Sequence, residues 1–259
     1  MVARSGPPRN HGDIIMRVVC VIPARLASSR FPRKVLTMLG EKPLLQWVWE
    51  AATSSEMFDE VAFAIDDRET ARLIDSFGGS YHMTCPNCQS GTDRLIELQR
   101  QGTLKGNIWV NWQGDEPFIH REMIENLLQS TDAPHDIWTL KKEINSEEEI
   151  EDPNVVKVVT NHKGKALYFS RSPIPYDRDG LEEVTYYKHI GIYAYTAEAL
   201  KEISTLSPSP LELAEGLEQL RFLDHGLTIQ VHETAYDALG IDVPEDLARA
   251  MERIASQIV

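Results

Sequence analysis

Short apolar runs recur through the first half of the chain, VVCVIP (18–23), VAFAI (61–65) and IWVNW (108–112). Between them lie stretches of helical spacing, PLLQWVWEAA (43–52) and a segment from about Asp67 to Ser76. Strands that are apolar throughout have no wet face, so their alternation with helices predicts a parallel sheet with helices on both sides. The pair Gly78 and Gly79 stops the second helix and turns the chain into SYHMT.

Between about Ala133 and Tyr195 the texture changes. DIWTLKKEI, NVVKVVT, KALYFS and YYKHIGIYAY follow one another with Asn, Gly, Pro and Asp turns and no long helix between them. Successive strands of this kind predict a smaller antiparallel insertion. Helix then returns in SPSPLELAEGLEQLRFL, with Ser209 as cap, Pro210 at the first position and Leu213, Leu217 and Leu220 as the expected buried stripe. TIQVH reads as a last strand and the segment from Pro244 as a terminal helix. The expected class is α/β, a Rossmann-like, mostly parallel sheet forming one domain over residues 16–259, with the insertion at about 133–195. Residues 1–15 are polar and contain Gly-Pro-Pro, and are expected to be an extension outside the fold.

Charge narrows the partners. With 40 acidic against 26 basic residues the formal net charge is −14, and the overall field repels nucleic acid and anionic lipid. Yet PARLASSRFPRKVL (23–36) places Arg25, Arg30, Arg33 and Lys34 in one loop. An acidic chain with a local cationic cluster is expected to grip a small anion. No run approaches the roughly 18 apolar residues of a membrane span, and the N-terminal residues lack the apolar core of a secretory signal, so a cytoplasmic protein is expected. Three cysteines are too few for a disulfide framework. CPNC (85–88) alone, without a second pair or histidines nearby, is weak support for zinc, and a reduced loop is expected there.

The basic loop follows the first strand, where open parallel sheets bind phosphates. Neither G-x-G-x-x-G after that strand nor G-x-x-x-x-G-K-[ST] anywhere is present, which removes the main support for a dinucleotide oxidoreductase or a P-loop enzyme. What remains is a loop meeting phosphate with side-chain charge, as suits a triphosphate.

Seven segments, VIPARLASSRFPRKVL, SGTDR, NWQGDEP, LYFSRSPIP, KHIGIYAY, LEQLRFLDHG and GIDVPEDL, occur in this order from Met16 onward. Together they resemble the CMP-Kdo synthetases, the 3-deoxy-manno-octulosonate cytidylyltransferases of lipopolysaccharide biosynthesis. The resemblance implies a magnesium-dependent, homodimeric enzyme converting CTP and an eight-carbon keto-sugar acid, Kdo, to the CMP-sugar and pyrophosphate. The family's first loop runs close to A-R-x-x-S-x-R-x-P-G-K-x-L, and this chain carries Arg33 where glycine is expected.

By the same resemblance Ala24, Arg25, Arg30, Lys34, Ser90, Gly91, Arg94 and Gln113 are implied to bind CTP. Asp115 and Asp242 are implied to hold Mg2+, and with Arg25 and Lys34 they form the catalytic set. Arg171, His189, Tyr193, Glu218 and Gln219 are implied to bind the sugar acid. Residue type agrees with these roles. On pattern alone, however, DVPED is also a helix start, SGTD an ordinary helix beginning, and Glu218 and Gln219 the wet face of a leucine-striped helix. Two other readings stand beside the first: the same reaction on a related acid such as 8-amino-Kdo, or a nucleotide-binding relative with reduced turnover.

Overall fold

The computed structural model describes residues 16–27, 31–180 and 184–257. The N-terminal residues 1–15 and Arg30 lie outside the described residues.

Strand β1 (Val18–Ala24) sends Val18, Cys20, Ile22 and Ala24 into one core and Val19 and Val21 into another, the period of two expected of a strand buried on both faces. A two-strand hairpin follows, β2 (Met38–Leu39) and β3 (Lys42–Pro43), and then α1 (Leu44–Ser54). Next come β4 (Glu60–Ile65), α2 (Arg68–Ser76), β5 (Tyr81–Met83), α3 (Gly91–Gln101), β6 (Ile108–Asn111) and α4 (Arg121–Leu128). The Asp67 carboxylate starts α2 by accepting from the Glu69 and Thr70 amides, and Ser90 with Asp93 forms a capping box at α3.

The second half contains β7 (Ile137–Glu143), the short α5 (Glu147–Glu151), β8 (Lys157–Thr160), β9 (Ala166–Ser170) and β10 (Tyr187–Thr196). It closes with α6 (Ala197–Ile203), α7 (Pro210–Glu215), α8 (Gln219–Asp224), β11 (Ile229–Glu233) and α9 (Asp246–Gln257). The main sheet runs β11-β7-β10-β6-β1-β4-β5. Pairing is parallel throughout except at β10, which is antiparallel to both β6 and β7. Helices α1, α2 and α4 cover one face and α3, α6 and α8 the other.

Two expectations change. The run at 133–195 is antiparallel within itself, but β7 and β10 are interior strands of the main sheet rather than a separate insertion; only the β8–β9 hairpin leaves that path. Their apolar residues Ile137, Trp138, Ile192 and Ala194 are covered by the two shared cores. The leucine-striped segment is two helices rather than one, because Gly216 takes φ 64 and ends α7. The turn leaves Leu213 exposed at 73%, while Leu217 and Leu220 remain buried.

Candidate active site

Reversal of β10 is what assembles the site. Its register pairs Tyr193 with Asn111, so the beginning of β10 lies beside the carboxyl end of β6, at the same sheet end as the loop after β1. Gly114 then brings the turn after β6 against that loop: its amide donates to the Pro23 carbonyl at 3.2 Å. A Cβ at this position would stand 2.7 Å from the Pro23 oxygen, so no residue but glycine fits without movement.

Asp115 follows, and its carbonyl accepts from the Ile241 amide at 2.9 Å, which fixes GIDVPED beside QGDEP. The two carboxylates thus meet at one cation. Lys34 Nζ donates to Asp115 Oδ2 at 2.5 Å and to Asp242 Oδ1 at 3.1 Å, with the Lys34 side chain only 10% exposed. The Asp246 carboxylate, on the first residue of α9, accepts from the amides of Asp242 and Val243 at 2.8 and 3.0 Å, so the start of α9 holds the backbone that carries the Asp242 carboxylate.

Ala24 is buried at the end of β1, and Arg25, the next residue, is exposed and makes no ion pair with a described residue. Arg33 adopts φ 60 and ψ 25, the left-handed conformation that glycine takes without cost. Its guanidinium pairs with Glu69 on the first turn of α2. The position therefore demands the backbone shape of glycine even though arginine occupies it, and its side chain is directed to α2.

Arg94, expected beside the nucleotide, is spent inside the protein. It is 2% exposed, donating to Asp66 Oδ2 at 2.7 Å and Thr84 Oγ1 at 2.5 Å. Asp66 Oδ1 accepts from the Leu26 amide at 3.2 Å, so Arg94 braces the basic loop through one intermediary. Gln113 donates to Asn111 Oδ1 at 3.1 Å, and Gly91 packs against Pro23 and Asn111. The Ser90 hydroxyl caps α3, accepting from the Asp93 amide at 3.1 Å, and the Glu218 carboxyl is raised chiefly by burial.

The sugar-predicted residues form a connected wall. Phe169 lies edge-on to His189 with ring centroids 5.1 Å apart; His189 is 5.3 Å from Tyr193, and Tyr193 stacks on Tyr195 at 5.8 Å. The Tyr195 hydroxyl lies 3.5 Å from Thr92 Oγ1, which donates to Glu218 Oε2 at 2.6 Å. Gln219 is buried at the start of α8. Desolvation pushes the His189 imidazole down to about 3, so it is neutral. The Tyr193 hydroxyl is buried without a hydrogen-bond partner, an open valence that a ligand would satisfy. Arg171 stands two residues beyond Phe169, its guanidinium held by the carbonyls of Glu215 and Pro153 at 2.7 and 2.9 Å.

Glu116 was not singled out in the sequence although it stands inside NWQGDEP. Its Oε2 is buried and unpartnered, and burial, then Asp115 and Asp242, push its carboxyl up to about 8. Asn111, Thr92 and Asp66 were also missed, because a polar residue at a strand end or helix start signals nothing until its partner is known. Asp115 and Asp242 are hard oxygen donors gathered round a single cation position, which suits magnesium. Among the described residues no group of three or more His, Cys, Asp or Glu could hold a metal, so phosphate oxygens and water would complete such a shell. The three cysteines are unpaired, and desolvation, then the hydrogen bond to Glu97, pushes the Cys88 thiol up to about 12, away from thiolate chemistry.

The cytidylyltransferase family model matches residues 19–229. A 3-deoxy-manno-octulosonate cytidylyltransferase of Thermodesulfovibrio yellowstonii is 48% identical, over 90% of this chain and 96% of that one. Its counterpart in Parabacteroides distasonis is 43% identical, over 94% and 100%. Among solved structures, a CMP:2-keto-3-deoxy-manno-octonic acid synthetase complexed with CTP superimposes with a TM-score of 0.88 at 42% identity, covering 93% of this chain and 99% of the other. The architecture, the carboxylate pair at the end of β6 and the matches across nine-tenths of the sequence lead to one assignment: the chain belongs to the cytidylyltransferase family, among the 3-deoxy-manno-octulosonate cytidylyltransferases.

Proposed function

We propose that the protein activates Kdo with CTP, giving CMP-Kdo and pyrophosphate as a step toward lipopolysaccharide. The observation that carries this reading is the convergence of Lys34, Asp115 and Asp242 just after β6, at the sheet end where Asn111 of β6 pairs with Tyr193, whose hydroxyl is buried and unpartnered. In this reading the sugar's anomeric hydroxyl attacks the α-phosphorus in line and pyrophosphate leaves. Arg25 and Lys34 neutralise charge growing on the leaving phosphates. Arg171 takes the sugar carboxylate, while His189, Tyr193 and Glu218 orient its hydroxyls. Ser90 and Gln113 flank the nucleotide. Asp115 and Asp242 would hold magnesium, whose chemistry is to neutralise phosphate oxygens and to favour ionisation of the attacking hydroxyl. Lys34 must then release the two aspartates and turn toward phosphate.

Pyrophosphate release from CTP, Kdo and Mg2+ is the deciding measurement. Turnover with Kdo, lower rates with ATP and GTP, and none after chelation of the metal are expected. Equal rates with all three nucleotides would defeat the CTP assignment, and faster turnover of 8-amino-Kdo would move the substrate to that acid. Tight CTP binding with no pyrophosphate would identify a binding relative.

A further inference from the structure

Thr139, on β7, was given no role by its sequence, yet it is fully buried and its hydroxyl has three neighbours. Oγ1 lies 3.0 Å from the Ile190 carbonyl, 2.8 Å from the Ile192 carbonyl and 3.0 Å from His189 Nε2. The two carbonyls flank the point where the β7–β10 register shifts between Ile190 and Tyr193. A hydroxyl has one proton and two lone pairs. Carbonyl oxygens only accept, and at these separations an unprotonated contact would set oxygen lone pairs against each other. The proton is therefore committed to the bulge carbonyls, and Oγ1 faces His189 as an acceptor.

It follows that His189 Nε2 carries the hydrogen. A neutral imidazole has only one, so Nδ1 presents a bare lone pair, and among the described residues Nδ1 has no hydrogen-bond partner. The hydroxyl of Tyr193, whose ring is adjacent to His189, is likewise without a hydrogen-bond partner among the described residues. An acceptor beside a donor matches a hydroxyl group, which donates to one and accepts from the other.

We propose that Thr139 is a positioning residue that fixes His189 as the Nε2–H tautomer, so that Nδ1 accepts, and Tyr193 donates, a hydrogen bond at one hydroxyl of the sugar acid. This rests on the sugar-binding reading above. It gives β7 a role in substrate choice that no contact of Thr139 with the sugar is needed to explain.

The test is long-range proton–nitrogen NMR of the full chain labelled with 15N-histidine, with the His189 signal assigned by its loss in His189→Gln. Sugar and CTP kinetics are measured in parallel. In wild type without substrate the Nε2–H pattern is expected, and Thr139→Ser should keep both it and the sugar KM. Thr139→Val keeps the shape but not the hydroxyl; a mixed or reversed tautomer is expected, with the sugar KM raised about tenfold, the effect of one lost hydrogen bond, and the CTP KM unchanged. An Nδ1–H pattern in wild type overturns the proposal, as does an altered tautomer in Thr139→Val with an unchanged sugar KM. If Thr139→Val does not fold, wild type and Thr139→Ser still decide the tautomer. If wild type turns over no sugar acid, the activity reading fails on its own, and the spectrum alone upholds or overturns the tautomer.

Discussion

The Ile241 amide donates to the Asp115 carbonyl at 2.9 Å. That single main-chain bond joins the turn after β6 to the segment before α9, and it places the Asp242 carboxylate where Lys34 reaches both aspartates. Each carboxylate should therefore matter for chemistry more than for folding. Asp115→Asn or Asp242→Asn is expected to lower kcat by at least about 10²-fold, the scale of one lost transition-state electrostatic contact, with little change in Tm. Pyrophosphate-release kinetics and a thermal melt check this; near-normal turnover in either variant would remove that carboxylate from the metal set.

Arg33 holds a left-handed backbone and pairs with Glu69. Arg33→Gly should relieve strain of about 1–2 kcal/mol while adding unfolded-state entropy and losing an exposed ion pair of about 0.2–1 kcal/mol. These nearly cancel, so Tm should change little and the CTP KM by less than about fivefold. Arg33→Val should lower Tm clearly, because a β-branched residue resists positive φ. A large rise in CTP KM for Arg33→Gly would show the guanidinium reaching the nucleotide after all.

Arg94 and Asp66 form a pair 2% and 8% exposed. Arg94→Met leaves a buried carboxylate without its cation, and a loss of about 3–5 kcal/mol is expected. In the double variant with Asp66→Asn most of that loss should be recovered. The CTP KM should still rise, since the bond from Asp66 to the Leu26 amide is then weakened. Chemical denaturation of the two variants, with KM for CTP, reads both effects.

His189 sets a pH dependence. Its folded pKa, about 3, lies below the usual 6.5, so between these values the unfolded chain binds the extra proton and stability falls as pH falls. The contribution is fully present above about pH 6.5. Going from pH 7 to pH 5 should therefore cost wild type up to about 2 kcal/mol more than His189→Gln. Parallel denaturation curves at the two pH values with equal losses would mean that the ring is solvated.

Leu167 on β9 and Tyr176 beyond it are 61% and 85% exposed. We expect them to lie at a homodimer contact burying more than roughly 1,000 Å². Light scattering at micromolar concentration should give twice the chain mass, and Leu167→Asp with Tyr176→Asp should give monomer.

The strands β1, β4 and β6 and the helices between them were readable from the sequence because their signals are local: an apolar run has one period, and Asp67 and Ser209 cap the helices that follow them directly. The motifs in fixed order carried the family as well. What sequence could not supply was pairing. The polarity of β10 is set by which edges its neighbours offer, and that choice made β7 and β10 of the expected insertion interior strands of the main sheet. Arg94 shows the same division. Its place in SGTDR was legible, but whether a guanidinium faces a ligand or a buried carboxylate depends on where Asp66, 28 positions away, comes to rest. Tertiary structure alone decided that Lys34 sits between Asp115 and Asp242, because the energy of a charge is fixed by distance in space and not by position along the chain.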